Sequence, residues 1–564
     1  MGRFNLLSEP WIRVVTDSKG KMQEVSMLEL FENAQNYLRL AGETEAQNFA
    51  MLRLLLAVLH TVFSRLDVSG KPYADLVLDE RYKPIPETIT GESENYYQDL
   101  ENTWYDLWEL GAFPDIVQDY LQKWTDHFYL FDEKFPFYQV SSQDLVELKP
   151  QKFKKDNFAG KNLNRNISET GNKVSLFSPK YANHNNNSKL TEAQIARWLV
   201  ALQGYIGVSD KAFFANTNDT AKGWLYNLGG LYVEGTSLFE SLMLNFIPIH
   251  EESLGLDYIP QQHPCWEHCG VDFVNRRFAS KIVDNLAELY TVWGRAAFID
   301  PNTDVSKPFN MGIVKLPELN LRDAFIEPMT LWRWNDKGVN KGFYTPSNHI
   351  PNQALWRFFN VIALKSEKNH RPGIMLWIEH IEDRISLPII TLQSVGLVEH
   401  SIKASKKPID DISDYLQIAD QLLFDQGTER WTIRIDAEVQ LIKKLIGWNL
   451  KRFANDLNTI RNSQNTGFID GVVQKAYFAI DQPFRNWLVS IDPSDSPEEK
   501  IRAWRRELFA VLKDQADELV KNASKRDYLG RVVKKKENDQ GQELNIAIAY
   551  SYFMHHLKKG VEGE

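Results

Sequence analysis

The densest cluster of chemically capable side chains is His263-Pro264-Cys265-Trp266-Glu267-His268-Cys269. Imidazole and thiolate are the usual ligands of zinc, so a metal knuckle is the chemistry to test first. Tetrahedral zinc sites normally join two ligand pairs a dozen or more residues apart. This chain has only 2 cysteines, both already in the cluster. The reading is therefore a partly buried turn with spare cysteines, with no metal and no cofactor. Phosphate chemistry fares no better. Gly160-Lys161 is followed by Asn162 and has no glycine five residues before Gly160, so it is not a nucleotide-binding loop. Gly207-Val208-Ser209-Asp210-Lys211 lacks the second glycine of a nucleophile elbow. Asp410 and Asp411 read as acids at a helix N-terminus, where the helix dipole favours them, with no catalytic partner beside them. No enzyme is expected.

Charge supplies the next signal. The chain of 564 residues carries a net charge of −10, which by itself disfavours a polyanionic partner. The charge is segregated, however. Residues 79–134 hold 14 acidic and 4 basic side chains, whereas residues 149–189 hold 9 Lys/Arg against Asp156 and Glu169. Such separation lets one face meet phosphate while another avoids it.

The elements that must position these residues follow from periodicity. Trp11 to Val15 alternates, Asp17-Ser18-Lys19-Gly20 turns, and Gln23-Glu24-Val25 returns, predicting a hairpin. Ser26-Met27-Leu28-Glu29 opens a helix. Thr44-Glu45-Ala46-Gln47 and Thr191-Glu192-Ala193-Gln194 are identical capping boxes, the first opening an all-round apolar core helix and the second a helix that stops at Gly204. The stretch from Asn95 to Tyr129 is aromatic, acidic and helical. Residues 151–188, rich in Lys and Asn, have neither period and read as a long functional loop. Near the C-terminus, Ile435, Val439, Ile442, Ile446, Leu450, Phe453, Leu457 and Ile460 form one seam. Tyr477, Phe478, Phe484 and Trp487 mark a second helix. Ser496-Pro497-Glu498-Glu499 starts a third, seamed by Ile501, Trp504, Leu508, Val511 and Leu512, and residues 546–557 form a fourth. The expected fold class is α+β: a large mixed domain, 1–405, carrying a basic loop at about 148–189, then an all-α antiparallel four-helix bundle, 406–564. The start MGRFNLLSEP has no signal pattern, Leu6 replaces the Ser/Thr of a myristoylation site, and the apolar run from Phe49 to Phe63 is interrupted by Arg53 and His60. A cytoplasmic protein without a membrane partner is expected.

The string Phe4 to Val15, FNLLSEPWIRVV, resembles the N-terminal signature of the large subunit (CasA family) of the type I-E CRISPR surveillance complex Cascade. Met51-Leu52-Arg53-Leu54-Leu55-Leu56-Ala57 is similar to that family's first core helix. Phe135-Pro136-Phe137-Tyr138-Gln139 resembles its Pro-Phe-x-Gln step, and Pro264-Cys265-Trp266-Glu267 its Pro-x-Trp-Glu step. The resemblance implies a non-catalytic subunit of an RNA-guided antiviral ribonucleoprotein complex. Such a subunit reads the protospacer-adjacent motif from the minor groove, whose degenerate pattern tolerates several motifs. It helps open the duplex for guide-RNA pairing and recruits a helicase-nuclease. The implied partners are the backbone subunit, the small-subunit dimer, the guide-end subunit, the CRISPR guide RNA and double-stranded target DNA. Carried over position by position, the long loop places Lys161, Arg165, Phe177, Tyr181 and Asn183 against guide RNA or a neighbour. The glycine-rich reading loop maps to Gly207–Gly223, where only the ends are glycine, so Lys211, Asn216, Asn218, Lys222 and Gly223 become the candidate readers. The lysine element maps to Lys315. The wedge maps to His400 and Ser401, because the family's glutamine is absent there and Gln393 sits several residues early. A pure scaffold, whose basic loop grips only protein, and an unrecognised enzyme are the competing readings.

Overall fold

The computed structural model describes residues 2–74, 76–85, 94–163, 189–208, 212–214, 221–248, 262–364, 369–382, 384–402, 405–424, 431–533 and 541–563. The chain divides into two compact units. One comprises Met1–Pro351, Ser366–His380 and Leu392–Asp414; the other comprises Asn352–Lys365, Ile381–Thr391 and Tyr415–Glu564. The first mixes helices with small sheets and the second is mainly helical, so the fold is α+β as the sequence predicts.

In the first unit, strands Ile12–Val15 and Met22–Val25 pair antiparallel with Ile12 opposite Val25, forming the expected hairpin. The Asp17 carboxylate accepts from the amides of Lys19 and Lys21, and Gly20 supplies the left-handed φ of +79° that the turn needs. Helix Glu45–Phe63 is the centre of the unit, with every residue from Ala46 to Phe63 buried. Its length and apolarity would allow it to cross a membrane, but here it is wholly enclosed by protein. It packs against helices Leu286–Tyr290 and Glu192–Tyr205. Arg53, which interrupts its apolar run, is buried and held by the Glu327 carboxylate through two bonds of 2.7 and 2.8 Å. Trp224 Nε1 donates to the same carboxylate at 2.6 Å, and the guanidinium lies 4.2 Å from the Tyr290 ring centroid. His60 packs edge-on against Phe246 and Tyr290.

The two identical capping sequences end differently. Thr191 and Gln194 form the full reciprocal box. Thr44 accepts from Gln47 N at 3.2 Å, but Gln47 Oε1 accepts from Glu43 N instead of Thr44 N. The free end of the core helix is completed from far away, because Asp411 Oδ2 accepts from Ala46 N at 3.3 Å. This corrects the reading of Asp410-Asp411. They lie on strand Ser405–Ile418, and Asp411 caps a helix 365 residues distant in sequence, not one of its own. Helix Glu192–Tyr205 runs one residue past Gly204, whose missing Cβ leaves room for Leu225.

In the second unit the seam from Ile435 to Ile460 is buried at each of its eight positions. It is carried by helices Trp431–Lys444 and Lys451–Ile460 joined through a π-helical stretch, Leu445–Leu450. The wider turn brings Asn449 inward, where Nδ2 donates to Phe553 O at 3.0 Å. Helix Thr466–Val489 packs on Lys451–Ile460 and on Pro497–Lys521, and Ile546–Glu562 packs on both of those. Phe478 departs from expectation: it is 83% exposed, because Tyr477, Ile480, Phe484 and Trp487 form the inward 3.6-residue stripe and Phe478 lies off it.

Candidate nucleic-acid interface

The basic segment begins as ordered structure. Lys149 and Lys152 adopt left-handed φ values of 47° and 53°, which turn the chain out of helix Ser142–Leu148. Gln151 and Phe213 then exchange backbone hydrogen bonds of 2.7 and 3.2 Å. Farther on, Asn157 grips the backbone of Ile313 through both side-chain atoms, at 2.9 Å each. Strand Phe158–Ala159 pairs with Met311 and Asn310, making the edge of a sheet of order Phe158–Ala159, Asn310–Lys315, Arg295–Phe298. Lys161 follows, half-buried in the short helical turn Gly160–Asn162. Lys152, Lys154 and Lys155 are exposed along this edge.

Lys315 closes the central strand of the same sheet, and its amide donates to Ala212 O at 3.2 Å. Phe213 therefore bridges the basic segment on one side and Lys315 on the other. The segment from Gly207 to Gly223, which contains Phe213, is clamped at its base. Gly223 N donates to Ile206 O at 2.9 Å. The buried Arg295 guanidinium donates to Gly207 O at 2.8 Å and Gly294 O at 2.6 Å. Gln203 Oε1 accepts from Arg295 N at 2.9 Å while its amide donates to Tyr138 O at 3.0 Å. A Cβ on Gly223 would overlap the Gly204 carbonyl, and one on Gly294 would press on Gln203 O. Three glycines thus allow three backbones to cross here, so Gly223 serves close packing of the base.

Lys222 stands at the returning end of that segment. Its Nζ lies 3.0 Å from Glu399 Oε2, 3.1 Å from Asn227 Oδ1 and 4.3 Å from the Tyr226 ring centroid. Glu399 belongs to strand Ile390–Ile402, which pairs with Ser405–Ile418 on one side and Gly230–Glu234 on the other. His400 and Ser401 are the next residues of that strand, near its end. Their side chains, and the residues Lys211, Asn216, Asn218, Arg165, Phe177, Tyr181 and Asn183, lie outside the described residues. Gln393 donates to Glu234 within the sheet.

Sequence reasoning missed a basic hairpin. Strands Trp332–Trp334 and Tyr344–Pro346 pair with Trp334 opposite Tyr344, and the connection carries exposed Lys337 and Lys341. Gly338 and Gly342, one after each lysine, take φ values of +80° and +83°. Arg322 donates to Asn340 Oδ1 and Val339 O at 2.9 Å each, bracing the turn. The signal was the repeated Lys-Gly pair between Trp-x-Trp and Phe-Tyr, a basic turn set among aromatics.

The His/Cys cluster is built around an ion pair. Buried Glu267 accepts from Arg65 at 2.7 and 3.0 Å and from the Tyr120 hydroxyl at 2.7 Å, and Trp266 Nε1 donates to that hydroxyl at 2.8 Å. Burial would raise the Glu267 carboxyl, but Arg65 holds it below the ordinary range. Cys265 is buried, and burial pushes its thiol up to about 12. Cys269 caps helix Gly270–Ala279. Burial, reinforced by neighbouring cations, lowers His263 and His268 to about 4. Among the described residues no three His, Cys, Asp or Glu side chains are arranged to hold a metal ion.

The family model described as CRISPR-associated protein Cse1 matches residues 5–515. A curated relative, CRISPR-associated protein CasA/Cse1 of Thermus thermophilus, is 29% identical over 271 residues, which is 47% of this chain and 42% of the relative. That alignment spans less than half of the relative's length. Two solved structures share the fold over nearly their whole length. Cse1 of Thermobifida fusca has a TM-score of 0.75 at 23% identity, covering 99% of this chain and 98% of that one. Cse1 of Acidimicrobium ferrooxidans has a TM-score of 0.70 at 19% identity, covering 100% and 98%. A chain of a structure described as a CRISPR RNA-guided surveillance complex has a TM-score of 0.67 at 14% identity, covering 99% and 100%.

Proposed function

The chain belongs to the CRISPR-associated Cse1 family, and from that premise we propose that it is the non-catalytic DNA-recognition subunit of a type I-E surveillance complex working in the cytoplasm. It reads the protospacer-adjacent motif of double-stranded target DNA from the minor groove, helps separate the strands for guide-RNA pairing, and recruits a helicase-nuclease. Base pairing with the guide carries the remaining sequence specificity. The observation that carries this reading is convergence: the basic segment, the Gly207–Gly223 segment, Lys315 and the strand bearing His400 and Ser401 meet in one unit through Phe213 and the Lys222–Glu399 pair.

The roles divide by exposure. Lys211, Asn216 and Asn218 belong to the segment whose two ends are clamped, and they supply groove and phosphate contacts. Lys222 is already neutralised by Glu399, so its part is to tie the wedge strand to the reading segment. His400 and Ser401 act at the first base pair, where unstacking costs a few kcal/mol. Lys315 is half-buried at the end of the central strand, whereas Lys337 and Lys341 are exposed and are the better-placed cations for a groove. Lys161, Arg165, Phe177, Tyr181 and Asn183 contact the guide RNA or the backbone subunit.

The test uses the assembled complex and a duplex bearing the flanking motif. Replacing Lys211, Lys222 and Lys315 by Ala together should weaken binding and reduce the slope of log K against log salt by about 0.9 for each phosphate that is no longer neutralised. Unchanged affinity and slope would reject the site. Co-purification of the chain with RNA of uniform length, long enough for a heteroduplex of about 20 bp, distinguishes this role from a scaffold that grips only protein.

A further inference from the structure

Four buried arginines in the first unit share one arrangement. Arg53, Arg65, Arg197 and Arg371 each meet a carboxylate at 3.0 Å or less. That is the expected arrangement, because a buried charge without a partner is costly. Two others are held by backbone carbonyls instead: Arg295 by Gly207 O and Gly294 O, and Arg277 by Pro317 O. Arg277 is 4% exposed, its Nη2 donates to Pro317 O at 2.7 Å, and its Nε has no hydrogen-bond partner among the described residues. Glu288, the carboxylate whose charge acts on it, is already engaged by Arg276 at 2.6 Å. Burial accordingly pulls the Arg277 pKa down to about 10. A backbone carbonyl offsets only part of the cost of a buried guanidinium.

Arg277 also lines a shallow, solvent-open concavity, together with Lys222, Trp224, Trp293, Glu318 and Leu319. The cleft adjoins Gly223 and Gly294, at the clamped base of the Gly207–Gly223 segment. Two cationic side chains therefore line one concavity: Lys222 is paired with Glu399, whereas Arg277 forms no ion pair among the described residues. Glu318, which is exposed, is the acid at this cleft.

We propose that this cleft is an oxyanion site that takes a phosphate group, with Arg277 as the charge that binds it. A guanidinium suits this role because its planar fork matches phosphate oxygens. Two sources present the same chemistry: a backbone phosphate of bound DNA and free inorganic phosphate. The site does not depend on the DNA-reading role; only the assignment of the first source rests on it.

The experiment exchanges chloride for inorganic phosphate at constant ionic strength and follows the melting temperature of the full-length chain. Phosphate should raise it saturably above the chloride value. Arg277→Gln should weaken phosphate binding by about tenfold or more, the size of a lost charge-assisted hydrogen bond. Glu318→Gln, at an exposed position, should fold normally and tighten phosphate binding by removing a like charge. The proposal is overturned if phosphate acts no better than chloride on the wild type, or if Arg277→Gln retains the full response. Should Arg277→Gln not fold, unchanged phosphate affinity in Glu318→Gln overturns it equally. Competition dialysis with labelled phosphate assigns the source. Displacement by motif-bearing duplex in the assembled complex identifies the DNA backbone, and retention of phosphate identifies the free anion; either result keeps the oxyanion site.

Discussion

Asp411 shows how a residue type is legible while its partner is not. An acid at a helix N-terminus was the right chemistry, but the helix it caps begins at Glu45, on the far side of the sequence. Arg53 and Glu327 pose the same problem, since no local pattern pairs residues 274 positions apart. Their bidentate bond is buried on both sides. Arg53→Met or Glu327→Leu alone should cost about 3–5 kcal/mol by stranding a charge, whereas the double substitution should recover most of it. Urea unfolding of the three variants measures this, and strictly additive losses would contradict the pairing. The His263/His268 pair gives a pH prediction with a definite sign. Both are lowered from an ordinary value of 6.5 to about 4, mainly by burial, so the unfolded chain binds more protons between those values. Their stabilising contribution is complete above pH 6.5 and is lost as pH falls toward 4. At pH 5 the loss is on the order of 2 kcal/mol per histidine. The double variant His263→Asn/His268→Asn should therefore lose less stability than the wild type between pH 7 and pH 5, as read by thermal melts at both values.

At the scale of elements, the two Thr-Glu-Ala-Gln boxes start helices where the sequence places them, but only one closes reciprocally. Gln47 is drawn to Glu43 N, and Asn48 takes Gly42 N, so tertiary neighbours redistribute the capping bonds. Within the loop expected over residues 151–188, Phe158–Ala159 forms a strand because the edge of strand Asn310–Lys315 accepts it. A segment without a period of its own can still be held by another strand's unpaired groups. Glycine substitutions separate packing from propensity. Gly223→Ala forces a Cβ onto the Gly204 carbonyl, so the base of the reading segment must open, with a lower melting temperature and weaker duplex binding. Gly471→Ala, with nothing within 4 Å on the exposed side of helix Thr466–Val489, should stabilise by about 0.5–1 kcal/mol. A differential melt of the two variants tests both signs at once.

For the molecule as a whole, the proposed DNA interface includes exposed residues that contribute little to stability. Lys337 and Lys341 lie on an exposed turn, so replacing both by Ala should move stability by less than about 0.5 kcal/mol. The same change should weaken duplex binding by the assembled complex, more at low salt than at high. Equal affinity of wild type and variant at low salt would remove the hairpin from the proposed interface. The α+β class, the N-terminal hairpin, the core helix and the C-terminal seam were all determined by the sequence itself. Each rests on periodicity, capping or turn chemistry within a few residues, where side-chain spacing and backbone preference act locally. The family was also legible, because its signature is a contiguous string at Phe4–Val15. Only the tertiary structure decided which loops share a face. Phe213 links Gln151 to Lys315, Lys222 reaches Glu399, and Arg277 is buried against the Pro317 carbonyl. Those outcomes depend on burial and on partners far away in the chain, and a charge declares its partner only once packing has fixed what surrounds it.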